Sequence, residues 1–180
     1  MLILLDRDGV LNEERRDYVK SVDEIVLLPG AAEAVAVLNR AGHHVVVVSN
    51  QSAVGRGMIS QAQLDEIMAA LVRRLERTGA RLDAVLFCTD PPWAATDRRK
   101  PGPGMLIEAM ARFDTPAHDT IMIGDSLRDL QAAVRAGCRR ALVRTGNGRD
   151  TEAKGLPADI LPCPIYDDLA AFARALGPAS

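Results

Sequence analysis

Two aspartates, Asp6 and Asp8, follow a short apolar run near the N-terminus, in the order Asp6-Arg7-Asp8-Gly9. The apolar run, Leu2-Ile3-Leu4-Leu5, predicts a buried strand. Because alternate residues of a strand point to the same side, both carboxylates are expected to face one point beyond its end. Two carboxylates this close repel each other unless a cation or a shared proton lies between them. The pair therefore predicts a Mg²⁺ site at which one carboxylate attacks phosphorus and the other moves protons, and the alternative is an acidic turn without a chemical role.

Polar groups also follow two other predicted strands. The run Val45-Val46-Val47-Val48 leads directly into Ser49-Asn50-Gln51-Ser52, whose hydroxyl and amide groups can hydrogen-bond phosphoryl oxygens. The run Thr120-Ile121-Met122-Ile123 leads into Gly124-Asp125-Ser126, with Asp129 one helical turn later. Asp125 is placed to join Asp6 on a metal ion, and Asp129 to anchor that loop from behind the metal. Taken singly, these groups have ordinary alternatives as turn residues and helix caps.

Positive charge is concentrated at Arg15-Arg16, at Arg56 and at Arg98-Arg99-Lys100. Lys100 lies in a proline-rich loop over 89–103, from which its ammonium group can neutralise charge on a phosphoryl group in the transition state. Arg99 beside it can hold a second phosphate through its bidentate guanidinium. The alternative for such a short basic run is a solvated loop.

Strand-like and helical patterns alternate along the chain, which predicts an α/β fold with a central parallel sheet between two helical layers, a Rossmann-like three-layer sandwich. Ligands of such sheets bind at the carboxyl ends of the strands. We expect one domain over 1–180 without a large cap, a hairpin flap over 10–28 and a substrate loop over 88–103. The remaining strands are predicted at 84–87, 140–143 and 160–161, with a loop at 146–157. Helices are predicted at 31–40, 60–79, 104–112, 127–136 and 167–176. Ser60 and Gln63 are expected to form a capping box at the start of the second helix.

Composition excludes several classes of function. The chain has 180 residues, 48% of them hydrophobic, and a formal net charge of −2, which gives no bulk attraction to nucleic acid or to an anionic membrane. Its apolar runs are shorter than a membrane span, and we expect no leader segment. The scattered Cys88, Cys138 and Cys163 predict reduced thiols and a cytoplasmic location. His43, His44 and His118 are expected to be structural, while Gly146-Asn147-Gly148 is either a phosphate cradle or a flexible connection.

Together the four clusters resemble the signature motifs of the haloacid dehalogenase superfamily of phosphohydrolases, in the same order and from Leu2 to about Gly146. The resemblance implies that Asp6 is the nucleophile and forms an aspartyl-phosphate, and that Asp8 is the general acid and base. It implies that Mg²⁺ is held by Asp6, Asp125 and the backbone carbonyl of Asp8, with Asp129 behind it. Ser49 and Lys100 would then bind the transferring phosphoryl group.

Within that superfamily the chain is most similar to a capless subgroup of sugar-bisphosphate phosphatases, which is related to histidinol-phosphate phosphatases. The similarity lies in Ser49-Asn50-Gln51-Ser52, Arg56-Gly57, Arg99-Lys100-Pro101 and Val143-Arg144-Thr145-Gly146. It implies a small sugar phosphate or bisphosphate as substrate. The residues expected to contact that substrate are Asn50, Gln51, Ser52, Arg56, Arg99, Arg16 and Tyr18.

One departure from the subgroup concerns a structural zinc, which its members commonly hold through a CxH half and a CxC half. Here the first half reads Cys88-Thr89-Asp90, and Thr96 and Arg98 stand at the positions of the second. A single thiol with a carboxylate cannot build a closed tetrahedral zinc site. We therefore predict no structural zinc, a buried Cys88 thiol, and a loop held by packing of Pro91, Pro92 and Trp93.

Three alternatives remain open beside a sugar-phosphate phosphatase. A histidinol-phosphate phosphatase shares much of the pattern, although such enzymes tend to lack the residues matching Ser52 and Arg56-Gly57. A receiver-type phosphoacceptor module also combines carboxylates, a hydroxyl and a lysine, but it lacks an acid and base at the position of Asp8. A phosphomutase needs a cap that excludes water, and the sequence has no segment for one. We expect a monomer.

Overall fold

The structure, a computed structural model, describes residues 1–177. Its centre is a six-stranded sheet in the order β3-β2-β1-β4-β5-β6, with parallel pairing at every step. The strands are β1 Leu2–Leu5, β2 His44–Asn50, β3 Ala84–Cys88, β4 Thr120–Gly124, β5 Arg139–Val143 and β6 Ile165–Tyr166. The chain winds outward from β1 to one edge and then returns to β4 on the other side. The strand order therefore reverses between β1 and β4, which is where such sheets bind ligands.

Two layers of helices cover the sheet, so the predicted three-layer sandwich is confirmed, and no separate cap domain lies among residues 1–177. Side chains of α1, α2 and α6 share a hydrophobic cluster with one face, and side chains of α3 and α4 share a cluster with the other. The helices are α1 Ala31–Arg40, α2 Gln61–Glu76, α3 Gly104–Arg112, α4 Leu127–Ala136, α5 Gly148–Ala153 and α6 Leu169–Leu176. None of the helices within 1–177 is both long and apolar enough to cross a membrane.

The buried centre of the sheet explains why the polar groups stand at strand ends. Ile3 and Leu5 enter one hydrophobic cluster while Leu2 and Leu4 enter the other, and all four are fully buried. A strand covered on both faces has no position for a polar side chain. The parallel register pairs Leu5 with Val47 on one side and with Ile123 on the other. The polar residues at the carboxyl ends of these three strands, and directly after them, therefore meet at one edge.

The structure differs from the sequence predictions in the last third of the chain. The predicted loop over 146–157 contains α5, and the predicted strand at 160–161 is wrong. Residues Ala158–Ile160 form a 3₁₀ turn that buries Ile160 against Leu130 and Leu142, and the sixth strand lies later, at Ile165–Tyr166. The last helix begins at Leu169 because the Asp168 side chain accepts a hydrogen bond from the Ala171 N–H and caps it.

Two local predictions can be compared directly with the structure. The capping box is confirmed, since Ser60 Oγ accepts from the Gln63 N–H while Gln63 Oε1 accepts from the Ser60 N–H. The segment over 10–28, called the flap below, is closed at its base by an antiparallel bridge between Asn12 and Leu27. The flap contains a 3₁₀ turn at Val22–Glu24 and crosses the carboxyl end of the sheet.

Candidate active site

A cavity of about 240 Å³ opens at the carboxyl ends of β1 and β4, where the strand order reverses. Its walls come from the flap, from the loop after β2, from the loop before α3 and from the start of α4. Of the predicted site residues, the cavity is lined by Asp6, Asp8, Arg16, Tyr18, Asn50, Ser52, Arg56, Arg99, Lys100, Asp125 and Asp129. Ser49 and Gln51 are buried and are not among the lining residues.

Lys100 forms the floor of the cavity together with two carboxylates. Its ammonium Nζ lies 2.6 Å from Asp129 Oδ1 and 3.1 Å from Asp6 Oδ1, and its side chain is 2% exposed. The other oxygen of Asp129 accepts from the Ser126 N–H at 3.0 Å and from the Ser126 hydroxyl at 2.6 Å. Burial acts to raise the pKa of Asp129, but Lys100 and the Ser126 donors outweigh it and hold that pKa below its usual value. Both oxygens of Asp129 are thus engaged within the protein.

The carboxylates of Asp6, Asp125 and Asp129 lie close enough to share a cation, with one oxygen from each within 4.8 Å of the others. Burial, together with the negative charges of Asp129 and Asp6, raises the pKa of Asp125 to about 8. Burial also raises the pKa of Asp6 to about 6, against the opposing effect of Lys100. These shifts indicate more negative charge than the protein itself balances. A hard divalent cation with oxygen ligands fits that deficit, and Asp6 and Asp125 are the carboxylates with an oxygen to offer it.

The Asp8 carboxylate is fixed from three sides. The buried Arg7 guanidinium donates to both of its oxygens at 2.7 Å, and the amides of Asn12 and Gln51 donate at 2.8 Å and 2.9 Å. The Arg7 N–H also donates to Asp6 Oδ1 at 2.7 Å. Asp6 and Asp8 are therefore held in fixed positions by one intervening residue, and Asp8 still reaches the cavity.

The polar residues at the end of β2 and directly after it mostly hold other site groups. Asn50 forms a reciprocal pair with the backbone of Lys100, since its amide donates to the Lys100 carbonyl at 2.9 Å and its oxygen accepts from the Lys100 N–H at 3.0 Å. Gln51 Nε2 donates to Asp8 at 2.9 Å and to Ser49 Oγ at 3.0 Å. The Gln51 side chain thus links Asp8 to Ser49 and is not among the residues that line the cavity. Ser52 is buried in the cavity wall.

The mouth of the cavity carries several arginines. Arg56 lies between two aromatic rings, with its guanidinium carbon 5.8 Å from the centre of Tyr18 and 5.2 Å from the centre of Trp93. Arg99 donates to the Asp90 carbonyl at 2.8 Å. Burial, and then repulsion from Arg128 and Arg56, lowers the pKa of Arg99 from its usual value. Three guanidinium groups therefore converge at the mouth.

The loop over 88–103 is held by hydrogen bonds at positions that the sequence resemblance aligned with a zinc site. The Asp90 carboxylate accepts from the Thr96 N–H at 2.8 Å and from the Thr96 hydroxyl at 2.6 Å. Arg98 forms an ion pair with Glu108 of α3. The prediction that Trp93 packing holds the loop is wrong, because Trp93 is 71% exposed and its ring contacts Arg56. Cys88 is buried as predicted, and all three cysteines are free thiols.

Several residues that line this site were not assigned to it from the sequence, among them Glu14, Arg128 and Asn147. Arg128 lines the cavity from the first turn of α4, and its position one residue before Asp129 is the signal that was available. Asn147 also lines the cavity and donates to the carboxylate of Asp125 through its backbone N–H at 2.8 Å and through its side-chain amide at 3.2 Å. The sequence left Gly146-Asn147-Gly148 open between a phosphate cradle and a flexible connection, and the structure shows a segment in close contact with Gly9 and Asp125.

Comparisons with known proteins agree with this geometry. A family model described as HAD-hydrolase-like matches residues 97–172. The chain is 44% identical to a curated relative from Bordetella bronchiseptica, named D-glycero-beta-D-manno-heptose-1,7-bisphosphate 7-phosphatase, over 97% of both chains. The chain belongs to the haloacid dehalogenase (HAD) superfamily.

Other HAD phosphatases give the same result in structure and in sequence. A crystal structure of D,D-heptose 1,7-bisphosphate phosphatase from B. bronchiseptica, complexed with magnesium and phosphate, matches with a TM-score of 0.92 at 44% identity over 97% of each chain. The enzyme of the same name from Burkholderia thailandensis matches with a TM-score of 0.75 at 41% identity, also over 97% of each chain. A curated 7-phosphatase from Pseudomonas putida is 39% identical and covers 97% of this chain and 98% of its own. The resemblance stated from the sequence motifs is thus confirmed.

Proposed function

We propose that this HAD protein hydrolyses the C7 phosphate of D-glycero-D-manno-heptose 1,7-bisphosphate through an aspartyl-phosphate on Asp6. It is then a phosphoric monoester hydrolase that forms heptose precursors for lipopolysaccharide. The observation that carries this substrate is the cluster of Arg56, Arg99 and Arg128 at the cavity mouth, opposite the acidic floor. None of these guanidiniums forms an ion pair with a carboxylate in the described part of the chain.

A bisphosphate fits this division of charge. The phosphate that reacts must reach Asp6 and Lys100 on the floor, whereas a second phosphate on the same sugar would meet the guanidiniums at the mouth. Hydrogen bonds from guanidinium to phosphate are charge-assisted and frequently bidentate. The arginine cluster therefore favours a substrate with two phosphates over one with a single phosphate.

The first half of the reaction breaks the ester bond. The Asp6 carboxylate attacks phosphorus, the bond between phosphorus and the sugar oxygen breaks, and Asp8 gives its proton to the departing oxygen. Lys100 Nζ, 3.1 Å from Asp6 Oδ1, lies where it can neutralise the charge on the phosphoryl oxygens. We assign the Ser49 hydroxyl to the same phosphoryl group, with Gln51 Nε2 donating both to this hydroxyl and to Asp8.

The second half releases phosphate. Asp8 takes a proton from a water molecule, the resulting oxygen attacks phosphorus, and the bond to Asp6 breaks. The hydrogen bonds from Arg7, Asn12 and Gln51 hold Asp8 in place for both steps. Because Asp8 receives the proton that it lost in the first half, the enzyme returns to its starting state.

We propose that Mg²⁺ is held by Asp6, Asp125 and the backbone carbonyl of Asp8, with Asp129 anchoring Lys100 and Ser126 beside it. When bound, the ion supplies positive charge that offsets the repulsion between the carboxylates and the phosphoryl group. The Asp6–Asp125–Asp129 cluster supports this assignment, because Asp129 has both oxygens engaged by Lys100 and Ser126. A monomeric enzyme in the cytoplasm remains our prediction, which light scattering after gel filtration and cell fractionation would check.

The main competing substrate is histidinol phosphate. It carries an ammonium group, which the guanidiniums of Arg56, Arg99 and Arg128 would repel where a second phosphate is attracted. A receiver-like phosphoacceptor role would require an acyl-phosphate that persists for minutes, whereas Asp8 stands two residues from Asp6 to promote its hydrolysis.

A phosphate-release screen with Mg²⁺ tests the substrate. We expect kcat/KM for heptose 1,7-bisphosphate to exceed the values for heptose 7-phosphate, fructose 1,6-bisphosphate and histidinol phosphate, with ³¹P NMR showing loss of the C7 phosphate. Equal values across the four compounds would refute the heptose assignment and leave the phosphatase activity in place. A phosphoprotein that is stable without phosphate release would favour the receiver role.

Substitution of Arg128 tests the arginine cluster. Arg128→Ala removes hydrogen bonds to a charged group, each worth about 1.5–3 kcal/mol, so kcat/KM for the bisphosphate should fall roughly 10- to 100-fold. The value for heptose 7-phosphate should change little. Arg40→Ala is the matched control, since this exposed arginine ends α1 at the opposite edge of the sheet. An equal loss for both substrates would contradict the role of the cluster.

The nucleophile and the acid are separated by two further variants. Asp6→Asn should abolish phosphate release with an unchanged circular dichroism spectrum, and retained activity would exclude Asp6 as the nucleophile. Asp8→Asn should slow turnover while still allowing the aspartyl-phosphate to be trapped.

A further inference from the structure

The segment after β5 packs directly against the residues that carry the acidic floor. Thr145 Oγ1 donates to the Gly9 carbonyl at 2.6 Å, beyond the end of β1. Gly146 has φ +55°, and a Cβ added there would lie 2.2 Å from Asp125 Oδ2 and 2.5 Å from Gly9 Cα. Three segments that are distant in sequence therefore meet without room for a methyl group, and the segment after β5 is fixed relative to Asp125.

Asn147 commits one oxygen of the Asp125 carboxylate. Its backbone N–H and its side-chain Nδ2 both donate to Asp125 Oδ2, at 2.8 Å and 3.2 Å. Among residues 1–177, no donor hydrogen-bonds to the other oxygen, Oδ1. The backbone carbonyl of the same residue accepts from Thr151 Oγ1 at 3.0 Å, which fixes the main chain of Asp125 as well. The carboxylate is therefore held in one orientation, with Oδ2 engaged and Oδ1 available.

The side chain of Asn147 makes this contact in place of its usual one. Asn147 stands at the N-cap of α5, where an asparagine oxygen ordinarily accepts a hydrogen bond from the first turn of the helix. Here the side chain makes no capping hydrogen bond. The stabilisation that a cap provides is absent here, and the amide is turned towards Asp125.

We propose that Asn147 is a positioning residue for the magnesium site: by holding Asp125 Oδ2, it presents Oδ1 of the same carboxylate to the ion. The inference rests on the proposed function, because it takes Asp125 as a magnesium ligand. Partners that orient a metal ligand typically raise metal affinity 10- to 100-fold. Because the backbone donor survives any side-chain replacement, we expect an effect of about 10-fold, at the lower end of that range.

The test compares magnesium affinity with turnover. EDTA-treated, dialysed enzyme is titrated with Mg²⁺ by isothermal calorimetry, and the Mg²⁺ dependence of kcat is measured with saturating heptose 1,7-bisphosphate. Asn147→Ala removes the donor, and Asn147→Leu removes it while keeping a side chain with the same branching. Both variants should bind Mg²⁺ about 10-fold more weakly, with kcat at saturating Mg²⁺ close to the wild-type value. Arg149→Ala, an exposed change in the first turn of α5, should match the wild type.

The outcomes separate this inference from the function on which it rests. Variants that melt normally and bind Mg²⁺ as tightly as the wild type would overturn the role of Asn147 and leave the phosphatase intact. A lower kcat at saturating Mg²⁺ with unchanged Mg²⁺ affinity would also overturn it, since that result indicates a general disturbance of the site. A wild-type enzyme that releases phosphate but binds no Mg²⁺ would overturn the magnesium assignment and this inference together.

Discussion

Replacing Lys100 by methionine removes the only cation that contacts the acidic floor within residues 1–177. Lys100 is 2% exposed, and its ammonium lies 2.6 Å from Asp129 and 3.1 Å from Asp6. Removing one partner of a buried ion pair leaves an uncompensated charge and costs about 3–5 kcal/mol. We expect Lys100→Met to lower the free energy of unfolding of the magnesium-free enzyme by about 3 kcal/mol, which corresponds to a fall in Tm of about 6–12 °C for a chain of this size.

Urea unfolding in EDTA, followed by circular dichroism, measures this cost. Lys154→Met, an exposed change on the surface, should stay within about 0.5 kcal/mol of the wild type. The double variant Lys100→Met with Asp129→Asn should recover at least about 1 kcal/mol, because the two residues contact each other and their effects are coupled. The electrostatic argument for the floor would be refuted if Lys100→Met cost less than about 1 kcal/mol, or if the second substitution recovered nothing.

Three further predictions concern the charge of the site, the mouth of the cavity and the packing around Gly146. Burial raises the pKa of Asp125 to about 8, so between about pH 4 and pH 8 the folded magnesium-free enzyme binds a proton that the unfolded chain has released. The stability gained by Asp125→Asn, measured by urea unfolding, should therefore grow as the pH rises across that range. A gain that does not depend on pH would contradict this reasoning. Trp93 is the single tryptophan of the chain and stacks on Arg56, so Arg56→Ala should increase acrylamide quenching of its fluorescence, whereas unchanged quenching would mean that the stack does not form in solution. Gly146→Ala should lower the free energy of unfolding, measured by urea unfolding, by roughly 2 kcal/mol or more, because its methyl group meets Asp125. Gly155→Ala, also at positive φ but in open space, should lower it by only about 1 kcal/mol, since only the backbone is strained. Equal losses for the two variants would argue against close packing at Gly146.

The floor of the site could be predicted because its residues are marked locally in the sequence. A strand buried on both faces excludes polar side chains, so the first polar residue after each apolar run, such as Asp6 or Asp125, must lie at the edge of the sheet. Parallel pairing then brings these edges together without further information. The fold class followed from the same alternation of patterns.

The parts that were missed depend on contacts between distant segments. Helix α5 has a polar sequence without an apolar face, and it is held by Thr151 on the Asp125 carbonyl and by the ion pair between Arg144 and Glu152. Arg128 meets Arg56 and Arg99 at the mouth of the cavity only because of how the loop before α3 lies against α4. The support of the loop over 88–103 was predicted from its prolines and Trp93, but Asp90 and Thr96 provide it through hydrogen bonds.

The separation between the acidic floor of the cavity and the arginines at its mouth has an evolutionary consequence. The charged groups of the floor, Lys100 with Asp6 and Asp129, are buried or half-buried and bonded to one another, so a change in any of them disturbs the others. The groups at the mouth of the cavity, such as Arg16 and Arg56, are exposed and belong to separate loops. Mutations can accumulate in those loops one at a time without altering the charges beneath them. A protein built in this way can acquire a new phosphate ester as substrate by gradual change at the mouth of its cavity, while the floor and its reaction stay the same.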